Sequence, residues 1–221
     1  MTRTTSSSSL PFLLLGGGGH ARVVLDLLQE RGDRVLGFLS PDDACSFLYG
    51  ISRLGGDEIL GEWTPDQVAL ANGIGSVGDP GPRVRVFEEC RRRGFRFPPL
   101  VSVHACVSSW VVLEEGAQVH RGALIQGGTR IGENVLVNTG AMVDHDCDVG
   151  EHVHVAPGCV LSGGVRVGAR THLGTGAVVI QGIRIGEDVL VAAGAVVTGD
   201  VADARRVRGI PARVNERGGL S

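Results

Sequence analysis

Aliphatic residues recur at every sixth position from residue 101 to residue 197 without interruption. They are Val101, Val107, Leu113, Val119, Ile125, Ile131, Val137, Val143, Val149, Val155, Leu161, Val167, Leu173, Val179, Ile185, Val191 and Val197. A period of six fits neither an α-helix, with about 3.6 residues per turn, nor a plain strand, with a period of about 2. It predicts a chain that forms one short flat strand and one corner per hexad, so that three hexads close a triangular coil. We therefore predict a parallel β-helix over 99–201, followed by a C-terminal cap and tail over 202–221.

The residues before this repeat alternate between strand and helix patterns. Strands are predicted at Phe12–Leu15, Arg34–Leu39, Gln67–Ile74 and Arg96–Phe97, and helices at Ala21–Arg31 and Pro82–Arg93. This alternation predicts a small parallel sheet of the Rossmann-like α/β class over 10–98. The pair Pro98-Pro99 marks its end, and the polar residues 1–9 are expected to be a disordered tail.

Composition limits the possible partners and compartment. Glycine supplies 35 residues and aromatic residues only 4%, which suits the thin coils of a solenoid. A net charge of −3 gives no general attraction to nucleic acid or to an anionic membrane, so neither is expected as a partner. The apolar run Leu10–Leu15 is too short for a signal peptide or a membrane span. Five cysteines without a CxxC motif indicate a reduced, cytoplasmic protein without a disulfide framework or a metal site.

A glycine-rich turn joins the first predicted strand to the first helix. Gly16, Gly18 and Ala21 satisfy the GxGxxA pattern, in which bare backbone and a helix N-terminus approach a phosphate closely. Asp42 and Asp43, just past the second strand, lie where a ribose or base would be recognised. The segment 74–76 would form the opposite wall of the cleft. Because about 85 residues are too few for a full dinucleotide domain, a mononucleotide or a nucleotide sugar is the better ligand.

The eighteen-residue coil places one histidine in an open slot. His145 points outward, and the residues stacked below and above it are Gly127 and Gly163. It is flanked by Asp144 and Asp146. An exposed imidazole with neighbouring carboxylates and free access is what a general base requires.

The other histidines and the later coils offer further contacts. His154 and His172 are predicted to stack at one corner, whereas His104, His120 and His152 are predicted to be solvated surface residues. Small outward residues in the later coils would accept a long, thin ligand; they are Ser162-Gly163-Gly164, Gly174-Thr175-Gly176 and Ala192-Ala193-Gly194. The arginines of the tail would suit a phosphate-rich end group of that ligand; they are Arg205, Arg206, Arg208 and Arg213.

Four segments together resemble a known family, the hexapeptide-repeat acyltransferases that include sialic acid O-acetyltransferases and nucleotide-amino-sugar N-acetyltransferases. They are Gly16-Gly17-Gly18-Gly19-His20, the run 138–147 around Asp144-His145-Asp146, the run 152–158, and Gly209-Ile210-Pro211-Ala212-Arg213. The resemblance implies a left-handed β-helix, acetyl-CoA as co-substrate and no metal. It also implies a homotrimer with active sites between neighbouring solenoids.

The resemblance assigns roles to individual residues. It implies that His145 is the catalytic base and that Asp146 makes it more basic. His154, Thr175 and Ala193 match positions that contact acetyl-CoA. The positions that match the nucleotide-sugar site are Gly18, Gly19, His20 and Gly75, with Asp42 and Asp43 as displaced candidates for reading the base.

Two departures from the family pattern leave the substrate open. Ser40-Pro41 separates the second strand from Asp42-Asp43, and Gly75-Ser76 stands where the family has Gly-Asp or Gly-Asn. The sequence therefore does not choose among UDP, GDP and dTDP, nor does it name the sugar, the acyl chain or the glycan pathway.

The function predicted from these features is acetyl-CoA-dependent N-acetylation of the 4-amino group of a nucleotide-linked amino-deoxysugar. The alternative enzyme is an O-acetyltransferase of sialic acid or a related free sugar, which would need no nucleotide cleft. A non-catalytic scaffold would leave the surroundings of His145 unexplained, and so would a small NAD-binding regulator.

Overall fold

A computed structural model describes residues 10–44, 46–77 and 79–214. The predicted tail 1–9 lies outside the described residues, as do residues 215–221 of the predicted C-terminal tail. The chain divides into two units. One comprises the residues up to Gly75 together with Arg85–Pro98, and the other comprises Ser76–Val84 together with the residues from Pro99 onward.

The first unit is built on a five-stranded sheet. Its elements are β1 (Phe12–Leu15), α1 (Gly19–Arg31), β2 (Val35–Leu39), β3 (Phe47–Leu48), β4 (Ile51–Gly55), a 3₁₀ helix (Asp57–Glu62), β5 (Ala69–Asn72) and α2 (Gly81–Arg92). The strand order is β3-β4-β2-β1-β5, and the pairings are parallel, except that β3 and β4 are antiparallel. The first four residues of α2 are grouped with the second unit.

The main elements of this unit are confirmed and the edge of its sheet was missed. The hairpin β3–β4 escaped prediction because β3 has two residues and β4 is an only partly buried strand without a continuous apolar run. The predicted strand at Arg96–Phe97 is wrong. Arg96 accepts one sheet-like hydrogen bond from the Leu70 N–H (2.9 Å), while Phe97 packs into the core against Phe87, with ring centroids 4.8 Å apart.

The second unit is a solenoid of very short strands. They are β6 (Leu100–Val101), β7 (Cys106–Val107), β8 (Val112–Leu113), β9 (Gln118–Val119), β10 (Leu124–Ile125), β11 (Arg130–Ile131), β12 (Leu136–Val137), β13 (Met142–Val143), β14 (Asp148–Val149), β15 (His154–Val155), β16 (Val160–Leu161), β17 (Arg166–Val167), β18 (His172–Leu173), β19 (Val178–Val179), β20 (Arg184–Ile185), β21 (Leu190–Val191), β22 (Val196–Val197), β23 (Arg206–Arg208) and β24 (Arg213–Val214).

From β6 to β22, every third strand lies in the same parallel sheet, which gives three faces. At the C-terminal end, β23 pairs with β21, and β24 pairs antiparallel with β23. Met142 pairs with Val160 and His154 with His172, so partners are eighteen residues apart as predicted. This is the predicted left-handed parallel β-helix. From β6 to β22, the second residue of each strand points inward, and the continuous aliphatic core so formed stabilises the coil through burial of apolar surface.

The outward residues differ between the faces. One face, here called the apolar face, presents Cys106, Leu124, Met142, Val160, Val178 and Val196. A second presents charges, with Arg130 bridging Glu114 (2.8 Å) and Asp148 (3.0 Å). On the third, the outward residues Gln118, Leu136 and His154 are buried.

In the described part of the chain, no helix is both long and apolar enough to cross a membrane.

Candidate active site

His145 lies at the corner that follows β13, and its surroundings match the predicted slot. A Cβ atom added to Gly163 would lie 2.6 Å from the His145 Nε2 atom, so the imidazole rests directly over this glycine. The Gly164 N–H donates to the His145 carbonyl (2.9 Å), and the Asp146 N–H donates to the Gly127 carbonyl (3.2 Å). The three coils are therefore stacked in the register derived from the sequence, and glycine leaves the ring exposed.

The two aspartates beside His145 polarise it. Its Nδ1 atom is 2.8 Å from the Asp146 carboxylate, and its backbone N–H donates to Asp144 Oδ1 (2.8 Å). The hydrogen bond to Asp146, and then the charge of Asp144, raise the pKa of His145 above its usual value. When the ring is neutral, Nδ1–H donates to Asp146, which leaves the Nε2 lone pair free to accept a proton. The pair is thus arranged as a general base.

The backbone at Asp146 is held in a conformation that suits this contact. Its φ is +57°, in the left-handed region where Asp is among the better tolerated residues. The carboxylate leans over Gly128, where a Cβ atom would collide with it. Glycine at 128 therefore gives the carboxylate its space.

His154 stacks on His172 as predicted, but it lies in a strand and not at a corner, and it is buried. It opens β15, is only 5% exposed and lies edge-on to His172, with ring centroids 4.8 Å apart. Burial first, and then the charges of His172, Arg83 and His120, lower the pKa of His154 to about 3. The ring is therefore neutral at physiological pH.

Hydrogen bonds fix the tautomer of His154. The Thr139 N–H donates to Asn138 Oδ1 (2.7 Å), which turns the Asn138 amide nitrogen toward His154 Nε2 (3.2 Å). Since Nε2 accepts this bond, Nδ1 carries the proton and donates to Ser76 Oγ (3.0 Å). Both ring nitrogens of the residue predicted to contact acetyl-CoA are therefore engaged within this chain.

Ser76 and Asn138 were not predicted as neighbours of His154. Asn138 is sixteen residues before His154, nearly one coil away, so the register placed it within reach. Nothing in the repeat could indicate Ser76, because it lies outside the solenoid sequence. It belongs to the segment Ser76–Val84 that is grouped with the second unit.

Two of the three histidines predicted to be solvated are buried. His104 is exposed as predicted, but His120 is 1% and His152 is 8% exposed. The Asn134 amide lies 3.1 Å from His152 Nδ1, one coil below, so stacking itself covers this corner. The period shows which side chains point out of the coil, but not what then covers them.

Thr175 and Ala193 lie at a different corner from His145. The Gly194 N–H donates to the Thr175 carbonyl (2.9 Å), and both side chains are exposed in one column. That column and the His145 column are separated by a whole side of the triangle, across the apolar face. At roughly 3.3 Å per residue, this side is at most about 20 Å wide.

In the first unit, the glycine-rich loop is open as predicted. Gly16 has a φ of +103°, and α1 begins at Gly19. Cβ atoms added to Gly18 and Gly19 would meet no atom within 4 Å, and one added to Gly75 would lie 3.6 Å from the Cβ of His20. The loop, His20 and Gly75 therefore share one open site at the N-terminus of a helix, where an anion is favoured.

Asp42 and Asp43 lie in an exposed turn past β2. Asp42 accepts a hydrogen bond from the Ala44 N–H (2.9 Å), within its own turn. The residue beside the glycine-rich loop is instead Ser40, whose Oγ would be 3.2 Å from a Cβ atom on Gly17. The inserted Ser40-Pro41 thus puts a small buried hydroxyl at the end of the strand.

The described residues, 10–214 without 45 and 78, contain no group of three His, Cys, Asp or Glu side chains that could hold a metal ion.

Three family models match the chain. The PglD N-terminal domain matches residues 12–90, the bacterial transferase hexapeptide (six repeats) matches 128–163, and the hexapeptide repeat of succinyl-transferase matches 164–199. Among curated proteins, no sequence matches this chain.

Several solved structures resemble the chain over nearly its whole length. The acetyltransferase domain of PglB from Neisseria gonorrhoeae FA1090 is 32% identical, with a TM-score of 0.89 over 94% of this chain and 100% of that one. A histidine-to-asparagine variant of perosamine N-acetyltransferase from Caulobacter crescentus, in complex with CoA and GDP-perosamine, is 35% identical, with a TM-score of 0.89 over 96% and 100%. PerB from Caulobacter crescentus, in complex with the same two ligands, is 36% identical, with a TM-score of 0.86 over 96% and 100%. Because these identities extend over the full length of the matched structures, the present chain belongs to the hexapeptide-repeat sugar acetyltransferases with a PglD-type first domain, and is an acyltransferase.

Proposed function

We propose that this protein is an acetyl-CoA-dependent N-acetyltransferase acting on the 4-amino group of a nucleotide-linked amino-deoxysugar, with His145 as general base. The observation that carries the proposal is the exposed His145–Asp146 pair over Gly163, in a chain 35% identical to a perosamine N-acetyltransferase that binds CoA and GDP-perosamine. A free sugar as acceptor would leave the open glycine-rich loop without a use.

In the proposed reaction, the sugar amine attacks the thioester carbonyl of acetyl-CoA. The new C–N bond forms as His145 Nε2 takes a proton from the amine, and Asp146 stabilises the resulting imidazolium. A backbone N–H of the glycine-rich outward face, such as that of Gly163 beside the ring, stabilises the oxyanion. The C–S bond then breaks, and the CoA thiolate receives the proton. The products are the N-acetylated sugar and free CoA.

We propose that the first unit holds the nucleotide portion of the acceptor. Gly18 and Gly19 leave open space at the N-terminus of α1, where backbone N–H groups favour a phosphate. His20 and Gly75 line the same site, and Ser40 occupies the place in which Asp42 and Asp43 were expected. The choice of base and sugar would rest on these residues.

The proposed acetyl-CoA residues are His154, Thr175 and Ala193. Thr175 and Ala193 are small and exposed, and a Cβ atom added to Gly176 or Gly194 beside them would meet no atom within 4 Å, so a thin ligand fits along this corner. For His154, contact with the coenzyme involves exchanging the hydrogen bond with Asn138 or Ser76 for one with the ligand.

A homotrimer would bring these two corners together. Within one chain the apolar face separates the His145 column from the Thr175 column, and six stacked apolar residues on that face favour burial against another chain. Cyclic association would place the coenzyme corner of one chain beside the base of the next.

The function is tested by screening nucleotide-linked 4-amino sugars carrying UDP, GDP or dTDP with acetyl-CoA, with free thiol release as the readout. We expect release with at least one of them, dependent on the amino group and lost in His145→Ala. The same nucleotide linked to a sugar without an amine is the control. Release with free sialic acid alone, or with no acceptor, would contradict the proposal.

A further inference from the structure

A tryptophan stands at the same corner as His145, two coils earlier. The Gly128 N–H donates to the Trp110 carbonyl (3.2 Å), and the Asp146 N–H donates to the Gly127 carbonyl (3.2 Å). These bonds link three consecutive coils into one column. At about 4.8 Å per coil, Trp110 and the His145–Asp146 pair are roughly 10 Å apart along the axis.

The coil between them carries no side chain at this corner. A Cβ atom on Gly127 would lie 3.4 Å from the Trp110 Cβ and 3.9 Å from its Cδ1, so the indole borders this glycine. Gly128, the next residue, lies under the Asp146 carboxylate. The Asp146 carboxylate fills the space at Gly128, and Ser108 Oγ (3.3 Å) and the indole border the space at Gly127, so at this corner no side chain of the intervening coil stands between Trp110 and the base.

The indole is 80% exposed, although the chain has only two tryptophans. It takes no part in the inward core of the coil, so folding of the solenoid does not account for it. An exposed aromatic ring in the same column as the base offers a flat apolar surface near it.

We propose that Trp110 is a specificity-determining residue on which the pyranose ring of the acceptor packs. This inference rests on the proposed function and adds the position of the sugar. In the proposed cyclic trimer, with its axis along the solenoids, Thr175 and Ala193 of the neighbouring chain keep the axial level of these later coils, so the coenzyme would extend from His145 toward the C-terminal end. Because the amine attacks the carbonyl between donor and acceptor, the acceptor would lie on the opposite, N-terminal side, where Trp110 is.

The nature of the surface fits a sugar ring. One face of an aminodeoxy pyranose presents mainly C–H groups, which pack on an aromatic ring, while its amine projects from the edge toward Nε2. Because residues 127 and 128 are glycines, no side chain of the intervening coil separates the indole from the base.

The test uses the acceptor that the unmodified enzyme turns over in the screen. Trp110→Ala should raise KM for that acceptor about 10-fold, with an unchanged KM for acetyl-CoA and an unchanged melting temperature, whereas Trp110→Phe should retain most of the affinity. Val112→Ala, which truncates another exposed apolar residue on a different face, is the matched control and should change neither constant.

Fluorescence provides a readout that does not depend on turnover. In a Trp63→Phe background, Trp110 is the sole tryptophan. When Trp110 is excited at the red edge of its absorption band, its fluorescence emission should change saturably as the acceptor is added. CoA alone should cause no change.

The outcomes separate this inference from the proposed function. If the unmodified enzyme acetylates a nucleotide sugar but Trp110→Ala has the original acceptor KM, the function stands and the role of Trp110 is wrong. A rise in the acetyl-CoA KM alone would place Trp110 in the donor site, and a lower melting temperature or loss of the oligomer would make it structural; both overturn the inference. If no nucleotide sugar is acetylated, the proposed function and this inference fail together.

Discussion

Two corners of the β-helix carry the two proposed halves of the site, and they work by different means. At the His145 corner, an imidazole and two carboxylates lie in a slot opened by glycine, and hydrogen bonding raises the pKa of the ring. At the Thr175 corner the exposed column presents Thr175, Ala193 and glycines with open space around them. The first corner depends on charge and the second on the absence of side chains. Substitutions at the two corners should therefore have different effects.

Removing the base should have the largest effect. His145→Ala should lower kcat at least about 100-fold, within the usual range for loss of a general base. The melting temperature should not change, because the ring points out of the coil. Thr175→Val, a small change at the other corner, should leave kcat within a few-fold of the original value. Near-normal turnover by His145→Ala would refute the proposed mechanism.

Adding one methyl group at two glycines should separate catalysis from stability. A Cβ atom at Gly163 would meet the movable end of His145, so Gly163→Ala should lower kcat about 10-fold or more with little change in melting temperature. A Cβ atom at Gly168 would lie 2.6 Å from the Glu187 nitrogen and the Gly186 carbonyl carbon, both in the backbone. Gly168→Ala should cost about 1–3 kcal/mol of stability while the folded enzyme keeps its kinetics.

Melting curves and kinetics on both glycine variants check this pair. Loss of folding by Gly163→Ala with full activity in the folded fraction would show that the slot is a packing feature and not an access route.

Removing the carboxylate should shift the pH profile to lower pH. His145 must be neutral to act as a base, and Asp146 raises its pKa, so activity is lost as the pH falls through that raised value. Asp146→Asn lowers the pKa toward its usual value, and the acidic limb of kcat/KM should move down. The rate at high pH should fall because the imidazolium is less stabilised. Asp144→Asn removes the charge that raises the pKa of His145 less than the Asp146 hydrogen bond does, and should shift the acidic limb less, in the same direction. An upward shift in either variant would contradict the role of His145 as the base.

The titration of buried His154 should affect the pH dependence of the free energy of unfolding, and not the acidic limb of kcat/KM. Its folded pKa of about 3 lies below the usual value near 6.5, so the folded state is favoured above pH 6.5 and loses this contribution as the pH falls toward 3. The loss is at most about 1.4 kcal/mol per pH unit. His154→Gln should therefore be less stable than the original protein at pH 7, by about 1–3 kcal/mol, and nearly equal to it at pH 5.

Urea unfolding at both pH values measures this difference, and the exposed His104→Gln is the control. A difference between His154→Gln and the original protein that is the same at pH 7 and pH 5 would show that His154 is not held neutral by the fold.

The six-residue period was sufficient to predict the solenoid, but not to predict which residues contact its outward side chains. Each hexad repeats one local rule, so the inward residues, the stacking of His154 on His172 and the slot around His145 all followed from counting. The hydrogen bond between buried His154 and Ser76 did not follow, because Ser76 lies outside the repeat. Tertiary contacts of this kind leave no periodic signal.

The first unit shows the same limit for a non-repeating fold. Long elements such as α1 and β2 carry their own pattern, and their ends were predicted within two residues. The hairpin β3–β4 is short and partly exposed, so its own sequence carries little strand signal. Its structure depends mainly on the pairing of β4 with β2. The position of Ser40 at the loop likewise depends on where β2 ends relative to the turn of Gly16.

The central claim, that the site needs one corner from each of two chains, is tested most directly by mixing two inactive variants. His145→Ala lacks the base, and Ala193→Trp blocks the coenzyme corner at low acetyl-CoA. In oligomers assembled from equal amounts of the two variants, a site is intact only when its base comes from an Ala193→Trp chain and its coenzyme corner from a His145→Ala chain. Random assembly gives this combination in about a quarter of the sites. We predict that co-assembly restores about a quarter of the original activity, although neither variant is active alone. Activity that stays at the sum of the two variants, with mixed oligomers shown to form, would place the whole site within one chain and contradict the account.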